Sequence, residues 1–169
     1  MVRTELWKEV GSFRGEMFDS SADLDMWLRI LSTGHTVRII NEPLIMYRES
    51  AHSFSYHYKR ERLDAHHSLL VLRHYVSLEK DCLSRSELSD YEFMEFKDAV
   101  SRAINYLIQE DRRTARSLVL QHLSWRVLNA ARHSLWQAKV FFVGLSTVVL
   151  TFVRLGDSGR EYVRKARFS

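Results

Sequence analysis

Apolar residues recur at helical spacing in residues 20–31. Starting from Leu24, the residues three, four and seven positions further along are also apolar, which predicts a helix with one buried face. The predicted buried face consists of Leu24, Trp27, Leu28 and Leu31. Ser20 is a suitable N-cap and Gly34 a suitable stop, so Asp23 should lie ionised in the first turn, near the positive end of the helix dipole. Asp25 and Arg29 are four residues apart and should pair on the opposite, polar side.

The flanking residues predict a short series of mixed elements. Upstream, Thr4 can cap a helix that stops at Gly11. Downstream, residues 36–40 are rich in strand formers, residues 41–43 form a turn signal, and residues 44–47 resume an apolar run. The predicted order is helix, loop, helix, strand, turn, strand.

The rest of the chain has helical periodicity. We expect helices over residues 58–79, 91–110 and 114–131, with a polar break at residues 82–89. The pair of helices that meets near residues 109–113 resembles one tetratricopeptide hairpin, with Ala103, Tyr106 and Ala115 as packing positions. One such unit is not a repeat array. The predicted fold class is α-rich α+β, with a strand pair near the N-terminal end and a helical hairpin or bundle after it.

The most apolar segment is Val140–Val153. Its 14 residues are fewer than the roughly 20 that span a bilayer. Gly144, Thr147, Thr151 and Arg154 share one narrow stripe of the predicted helix. Two interpretations stay open: the helix packs within a helical subdomain, or it dips into a membrane interface. The basic tail that follows would suit an anionic lipid leaflet, although a solvated basic end is common.

Composition narrows the class of protein. A single cysteine, Cys82, permits no internal disulfide, and the charged N-terminal residues do not resemble a signal peptide, which together favour a cytoplasmic location. The net charge is +4, yet the basic residues are dispersed and no nucleic-acid motif occurs, so a nucleic-acid partner is not expected. The chain has neither a Cys-x-x-Cys nor a His-Glu-x-x-His metal motif.

Three blocks of the sequence resemble the acceptor-side half of family-2 glycosyltransferases. The chain has Met-Val-Arg-Thr-Glu-Leu-Trp-Lys-Glu-Val-Gly-Ser-Phe-Arg at residues 1–14, Ala-Asp-Leu-Asp-Met-Trp-Leu-Arg at residues 22–29, and Asn-Glu-Pro-Leu-Ile-Met-Tyr-Arg at residues 41–48. The family pattern includes E-x-x-G-x-F-D, E-D-x-D-L-W-x-R and P-L-x-x-Y-R, in this order. The resemblance covers residues 1–56 and departs from the pattern at Ala22, where the family has Glu.

The resemblance implies a GT-A fold and transfer of a sugar from a nucleotide donor to an acceptor hydroxyl, with inversion at the anomeric carbon. The family's catalytic base corresponds to Asp23, and a single carboxylate is sufficient for that role. Substrate contacts are expected at Asp25, at Trp27, at Arg48, which could bind a diphosphate, and at His52 in the following loop. A divalent cation, Mg²⁺ or Mn²⁺, is expected for the complete enzyme, with no ligand set identified in this chain.

Other interpretations of the same residues stay open. Asp23 can merely cap its helix while Asp25 merely pairs with Arg29, and Trp27 can be a core residue rather than a platform for a sugar. Asp23-Leu24-Asp25 can also be an Asp-x-Asp metal site, although such a motif normally ends a buried strand. A different class of function is a helical interaction or membrane-peripheral module without chemistry.

The predicted domains are residues 1–56 as the acceptor-side portion, residues 57–155 as a helical extension and residues 156–169 as a basic tail. Because no nucleotide-binding half or glycine-rich phosphate loop is found, we expect the chain to be inactive alone and to need a donor-binding half. The expected partners of the complete enzyme are a nucleotide sugar and a glycan or lipid-linked acceptor, with contact to the inner face of a membrane as a further possibility.

Overall fold

The computed structural model describes residues 3–15, 21–36, 38, 40–43, 46, 62–79, 81–153 and 156–166, with side chains up to residue 163 in the last range. The chain divides into two compact units. Unit 1 comprises Met1–Ser53 and His66–Lys80, and unit 2 comprises Phe54–Ala65 and Asp81–Ser169. Each unit has its own packing and is described by itself.

Unit 1 contains three helices of the described residues: α1 (Thr4–Glu9), α2 (Ala22–Ser32) and α3 (His67–Glu79). The predicted stop of α1 at Gly11 is confirmed. Gly11 has a φ of +81°, and the Ser12 N–H donates back to the Trp7 carbonyl at 3.1 Å, which closes the end of the helix in a Schellman turn. Gly34, with a φ of +83°, likewise follows the end of α2 as predicted.

Helices α2 and α3 enclose the apolar core of unit 1. Its buried apolar residues are Ala22, Met26, Ile30, Leu69 and Val71. The helix predicted for residues 58–79 begins only at His67, since residues 62–66 are described and are not helical, while residues 58–61 lie outside the described residues. The His66 ring accepts the Ser68 N–H at 3.1 Å and so satisfies a backbone donor at the start of α3.

Unit 2 contains five helices of the described residues: α4 (Arg85–Ile108), α5 (Arg112–His122), α6 (Trp125–Ala130), α7 (Leu135–Leu150) and α8 (Asp157–Ala166). Helix α4 starts in a capping box. The Ser84 hydroxyl accepts the Glu87 N–H at 3.2 Å, and the Glu87 carboxylate accepts the Ser84 N–H at 2.8 Å. These bonds also lower the pKa of Glu87 below its usual value. The helix therefore begins inside the segment that was predicted to be a polar break.

The predicted hairpin near residues 109–113 is confirmed. Helix α5 folds back onto α4, and Ala103 and Ala115 are fully buried between them, so small side chains allow the close approach. Helices α6 and α7 pack onto the same α4 surface. The single helix predicted for residues 114–131 is wrong. It is interrupted at Leu123, and Ser124 starts α6 by accepting the Val127 N–H at 3.2 Å.

A buried ionic cluster attaches the first segment of unit 2 to α4. The Asp98 carboxylate binds Arg62 at 2.7 Å and Arg102 at 2.8 Å, and all three side chains are largely enclosed. The Asn105 amide donates to the Arg62 carbonyl at 2.6 Å. Two guanidinium groups thus share one carboxylate, which ties residues 62 and 98 together within unit 2.

The predicted α+β fold class is wrong, because the regular elements of the described ranges are all helices and those ranges contain no strand or sheet. Thr36, Arg38 and Ile40 of the first predicted strand have no regular secondary structure. Of the second predicted strand, residues 44, 45 and 47 lie outside the described residues. Strand formers do not make a stable pair by themselves, since an isolated two-stranded ribbon is marginal without a further strand or a packed face.

Helix α7 contains most of the apolar segment Val140–Val153. Within the described ranges, no helix combines the length and the apolar character that crossing a bilayer requires. Gly144 of this helix faces Phe96 and Val100 of α4.

Candidate functional site

Asp23 lies in the exposed first turn of α2. The helix begins at Ala22 after Ser21, so Asp23 is its second residue rather than its third, and the predicted cap Ser20 lies outside the described residues. The side chain of Asp23 is exposed, and its carboxylate accepts the Leu24 N–H at 2.8 Å. A carboxylate at this position is favoured by the helix dipole and stays open to an incoming group.

Asp25, two residues further along, is in the opposite situation. It is 0% exposed. Its carboxylate binds the Arg29 guanidinium one turn later, with both the Nε and an Nη of Arg29 at 2.9 Å from Oδ2. The predicted pair is therefore confirmed, but its predicted location on the solvent side is wrong, because Arg29 is buried as well.

Arg29 also joins α2 to the end of α1. Its guanidinium donates to the carbonyl oxygens of Val10 and Ser12, which lie where α1 has just ended. The last carbonyls of a helix have no partner within the helix and need a donor from elsewhere. The buried Asp25 and Arg29 charges thus neutralise each other and satisfy backbone acceptors, which is the condition for burying an ion pair at a tolerable cost.

Tyr75 on α3 is the third member of this network. Its hydroxyl donates to Asp25 Oδ1 at 3.1 Å, across 50 positions of sequence. Burial of the phenol, followed by its hydrogen bond to the Asp25 carboxylate and that negative charge, raises the pKa of Tyr75 above its usual 10.0. Sequence reasoning missed Tyr75, because no local pattern connects a tyrosine on α3 to an aspartate on α2.

Trp27 lies on the same side of α2 as Asp23. The two residues are four apart, so their Cβ atoms are neighbours at about 6 Å on one helix face. Trp27 is 39% exposed. The predicted buried face of Leu24, Trp27, Leu28 and Leu31 is wrong: Trp27 and Leu31 are exposed and the other two are only partly buried. The buried side chains of α2 are Ala22, Asp25, Met26, Arg29 and Ile30, on the other side of the helix.

The reason for this difference is the polar network. Its hydrogen bonds to α1 and α3 require Asp25 and Arg29 to face inward, and Met26 and Ile30 follow them because they share that face. The helix thereby presents a carboxylate and an indole together to solvent. A flat aromatic ring next to a proton acceptor is suited to binding a sugar ring and a hydroxyl group.

The other predicted contacts are not placed. Arg48 and His52 lie outside the described residues. For a divalent cation, Asp23 and Asp25 do not form a joint ligand set, since one faces solvent and the other is bound by Arg29 and Tyr75. No group of three or more His, Cys, Asp or Glu side chains in the described ranges could hold a metal ion.

Unit 2 contains a separate polar cleft of about 430 Å³. It lies between the first turns of α4 and the segment that joins α6 to α7. Its lining side chains include Arg85, Asp90, Asn129, His133 and Gln137. It includes none of the predicted site residues.

Comparisons with known proteins give no relative for this chain: no family model, no curated protein and no solved structure matches it. The candidate site is the exposed face of α2, which carries Asp23 and Trp27. It is chosen for the geometry of these two side chains and for the order of the three sequence blocks in residues 1–48.

Proposed function

We propose that this chain supplies the acceptor-binding side of an inverting glycosyltransferase, which transfers a sugar from a nucleotide donor to a hydroxyl group of a glycan or lipid-linked acceptor. The observation that carries the proposal is the contrast within α2. Asp23 is exposed beside Trp27, whereas Asp25 is enclosed and bound by Arg29 and Tyr75. Only the first of the two aspartates is available to a substrate.

In the proposed reaction, Asp23 is the general base. Its carboxylate takes the proton of the acceptor hydroxyl while that oxygen attacks the anomeric carbon of the donor. The bond from the anomeric carbon to the phosphate oxygen breaks, and its electron pair leaves with the nucleoside diphosphate. Attack from the face opposite the leaving group inverts the configuration, so one carboxylate suffices.

Trp27 and Asp25 have different roles in the proposal. The exposed indole of Trp27 can stack on the apolar face of the acceptor sugar and orient its hydroxyl toward Asp23, one helical turn away. Asp25 acts through the structure, because its bonds to Arg29 and Tyr75 hold α2 with Asp23 outward. Asp25 is therefore a positioning residue.

Asp23 and Asp25 are not assigned to the divalent cation expected for the complete enzyme, since one carboxylate faces solvent and the other binds Arg29 and Tyr75. The cation and the nucleotide would bind to a donor-binding half. None of the steps proposed for this chain depends on a bound cation. Such a cation would stabilise the charge of the leaving diphosphate.

The test combines the full chain with the donor-binding half of a family-2 glycosyltransferase, fused or mixed. Release of nucleoside diphosphate from uridine diphosphate sugars is measured with glycan acceptors present. We expect turnover that Asp23→Asn lowers by at least about a hundredfold, because general base catalysis contributes that much. We expect Trp27→Ala to raise KM more than it lowers kcat, because stacking mainly affects binding.

Glu5→Gln is the matched control, since Glu5 is an exposed acid in the first turn of α1 and has no assigned role. It should leave turnover unchanged. Asn at position 23 can still accept the Leu24 N–H, so the variant should fold. Unchanged turnover in Asp23→Asn removes this residue as the base. No turnover, together with no binding of glycan acceptors to the chain, contradicts the proposed function as a whole.

A further inference from the structure

Helix α7 packs on the core of unit 2 through Val140, Phe141, Val148 and Leu150, and its closest approach to α4 is at its smallest residues. Gly144, Thr147 and Thr151 are buried and lie on one side of the helix. A Cβ atom at Gly144 would come within 2.7 Å of Phe96 and 2.9 Å of Val100, both on α4, so only glycine permits this approach. The small-residue stripe noted in the sequence is thus the packed side of α7.

The two threonines on this side place no unsatisfied group in the interface. The Thr147 hydroxyl donates to the Val143 carbonyl at 2.8 Å, and the Thr151 hydroxyl donates to the Val148 carbonyl at 2.6 Å. Both hydroxyls are satisfied by the helix itself, and their methyl groups are left for packing. The side of α7 that faces the protein therefore needs no polar partner.

The opposite side of α7 carries large apolar residues. We call the side chains of Leu135, Lys139, Phe142, Ser146 and Val149, together with Val153 just beyond the helix, the outward face, because their spacing places them in one stripe along the helix axis. Leu135 is 93% exposed, Phe142 65% and Val149 63%. A surface helix usually presents polar residues to solvent, whereas α7 presents several large apolar ones there as well. A contiguous exposed apolar surface of this kind marks an interaction site.

Cations lie at both borders of the outward face. The Lys97 ammonium is 4.9 Å from the ring centre of Trp136, and the Arg116 guanidinium is 5.0 Å from that of Phe152. Lys139 lies exposed within the face itself. Residues 112–156 contain seven Lys or Arg and no Asp or Glu, which leaves 18 basic against 21 acidic residues in the rest of the chain. The positive charge is thus concentrated in the segment that includes the outward face.

We propose that the outward face of α7 binds an anionic lipid surface, with the helix lying in the plane of the membrane interface. Phe142, Val149 and Val153 enter the boundary of the acyl chains, while Trp136 and the bordering cations stay at the level of the lipid headgroups. This surface is independent of the proposed transferase site, since it involves no residue of α2.

The positive charge of residues 112–156 favours one class of binding partner for the outward face over the others. Two copies of the chain that met through this face would bring Lys139 and the bordering Lys97 and Arg116 of each copy together, which is repulsive in a symmetric interface. A nucleic acid would satisfy the cations but would leave the aliphatic side chains Leu135 and Val149 without an apolar partner. Anionic lipids satisfy both, at about 1 kcal/mol for each basic residue near the surface.

The test measures binding of the full chain to phosphatidylcholine vesicles with and without phosphatidylserine, by co-flotation. We expect binding to the anionic vesicles that weakens as salt is added. Phe142→Ser combined with Val149→Ser should lower the partition coefficient by at least about tenfold. Lys139→Glu should lower it on the order of tenfold, for anionic vesicles only.

Leu78→Ser is the matched control. Leu78 is a similarly exposed apolar residue on α3, outside the acid-free segment, and its replacement should leave partitioning unchanged. All altered side chains are exposed, so circular dichroism should show the same helical content in each variant. Absence of binding to anionic vesicles overturns the proposal. So does a concentration-dependent dimer, or binding to a DNA duplex, that the Phe142 and Val149 changes abolish while vesicle binding is unaffected.

Discussion

Helices α2 and α7 both turn large apolar side chains to solvent, but the rotation of each helix about its axis is fixed by different physical means. In α2 the inward residues include an ion pair, Asp25 and Arg29, which bonds to groups far away in sequence. In α7 the most deeply buried residues, Gly144, Thr147 and Thr151, are small and neutral, and the two hydroxyls bond within the helix. The side of the helix that faces inward is therefore set in α2 by hydrogen bonds to residues distant in sequence, and in α7 by close packing against α4.

The two cases have different consequences for function. Fixing α2 by charges leaves Asp23 and Trp27 outward as an arrangement of one carboxylate and one ring, suited to a small substrate. Fixing α7 by close packing leaves a long apolar stripe outward, suited to an extended surface. In both helices, the residues proposed to bind a substrate or a membrane are exposed and make few contacts within the fold.

The comparison predicts that breaking the ion pair in α2 has the largest effect on stability. Arg29→Met should lower the free energy of unfolding of unit 1 by about 3–5 kcal/mol, because it leaves a buried carboxylate without its cation. Urea denaturation followed by tryptophan fluorescence measures this change. Arg38→Met, at an exposed position, is the control and should change stability little. A loss below about 1 kcal/mol for Arg29→Met would mean that the ion pair does not set the orientation of α2.

Adding one methyl group to the packed side of α7 should have the next largest effect. Gly144→Ala places a Cβ against Phe96 and Val100 and should cost about 1–3 kcal/mol through overpacking, in spite of the better helix propensity of alanine. Thermal unfolding followed by circular dichroism measures it. Ser146→Ala, on the exposed side of the same helix, should be neutral or slightly stabilising. If the two variants behaved alike, close packing would not be what holds α7.

Tyr75→Phe tests the distant hydrogen bond of α2 alone. At neutral pH it should cost about 1.5 kcal/mol, since the Asp25 carboxylate loses one donor but keeps Arg29. The pKa of Tyr75 is raised in the folded state, so its contribution is fully present below its usual pKa of 10.0 and is lost as the pH rises through the folded-state pKa.

The stability difference between the parent chain and Tyr75→Phe should therefore shrink as the pH rises above 10.0. Chemical denaturation at a series of alkaline pH values measures it. A difference that stays constant through this range would contradict the assignment of the hydrogen bond.

Removing the capping box of α4 should have the smallest effect on stability. Because this motif involves only neighbouring residues, it serves as a comparison for the long-range contacts of α2 and α7. Ser84→Ala should cost about 1 kcal/mol, and Ser86→Ala, within the first turn, should cost less. The pKa of Glu87 is lowered by its bonds to Ser84, so the stability it contributes is present at neutral pH and is lost as the pH falls through that lowered pKa. Equal losses for the two serine variants, at all pH values, would argue against the box.

The sequence correctly predicted those features of the fold that depend on residues close together in the chain. The end of α1 at Gly11, the end of α2 near Gly34 and the hairpin of α4 and α5 depend on glycine conformation and on spacing within one segment. The capping box at Ser84 also follows a local pattern, Ser-x-x-Glu, which lies within the predicted polar break at residues 82–89.

The inward side of α2 could not be predicted from its own residues. The period of Leu24, Trp27, Leu28 and Leu31 is a true helical period, but Met26 and Ile30 form a second apolar stripe, and the choice between them depends on Val10, Ser12 and Tyr75. The strand prediction at residues 36–40 failed for a related reason, since strand formers become a strand only when a partner is present. For the candidate site, the sequence indicated Asp23 and Trp27 but not which side of the helix they share.

Asp23 is open to solvent, whereas Asp25 is enclosed by its bonds to Arg29 and Tyr75. Carbodiimide labelling of carboxylates in the full chain, located by fragmentation of the peptide that contains both residues, tests this contrast directly. We predict that Asp23 reacts at the rate of the exposed Glu5, that Asp25 is protected, and that Arg29→Met removes the protection. Equal labelling of Asp23 and Asp25 in the unaltered chain would contradict the account.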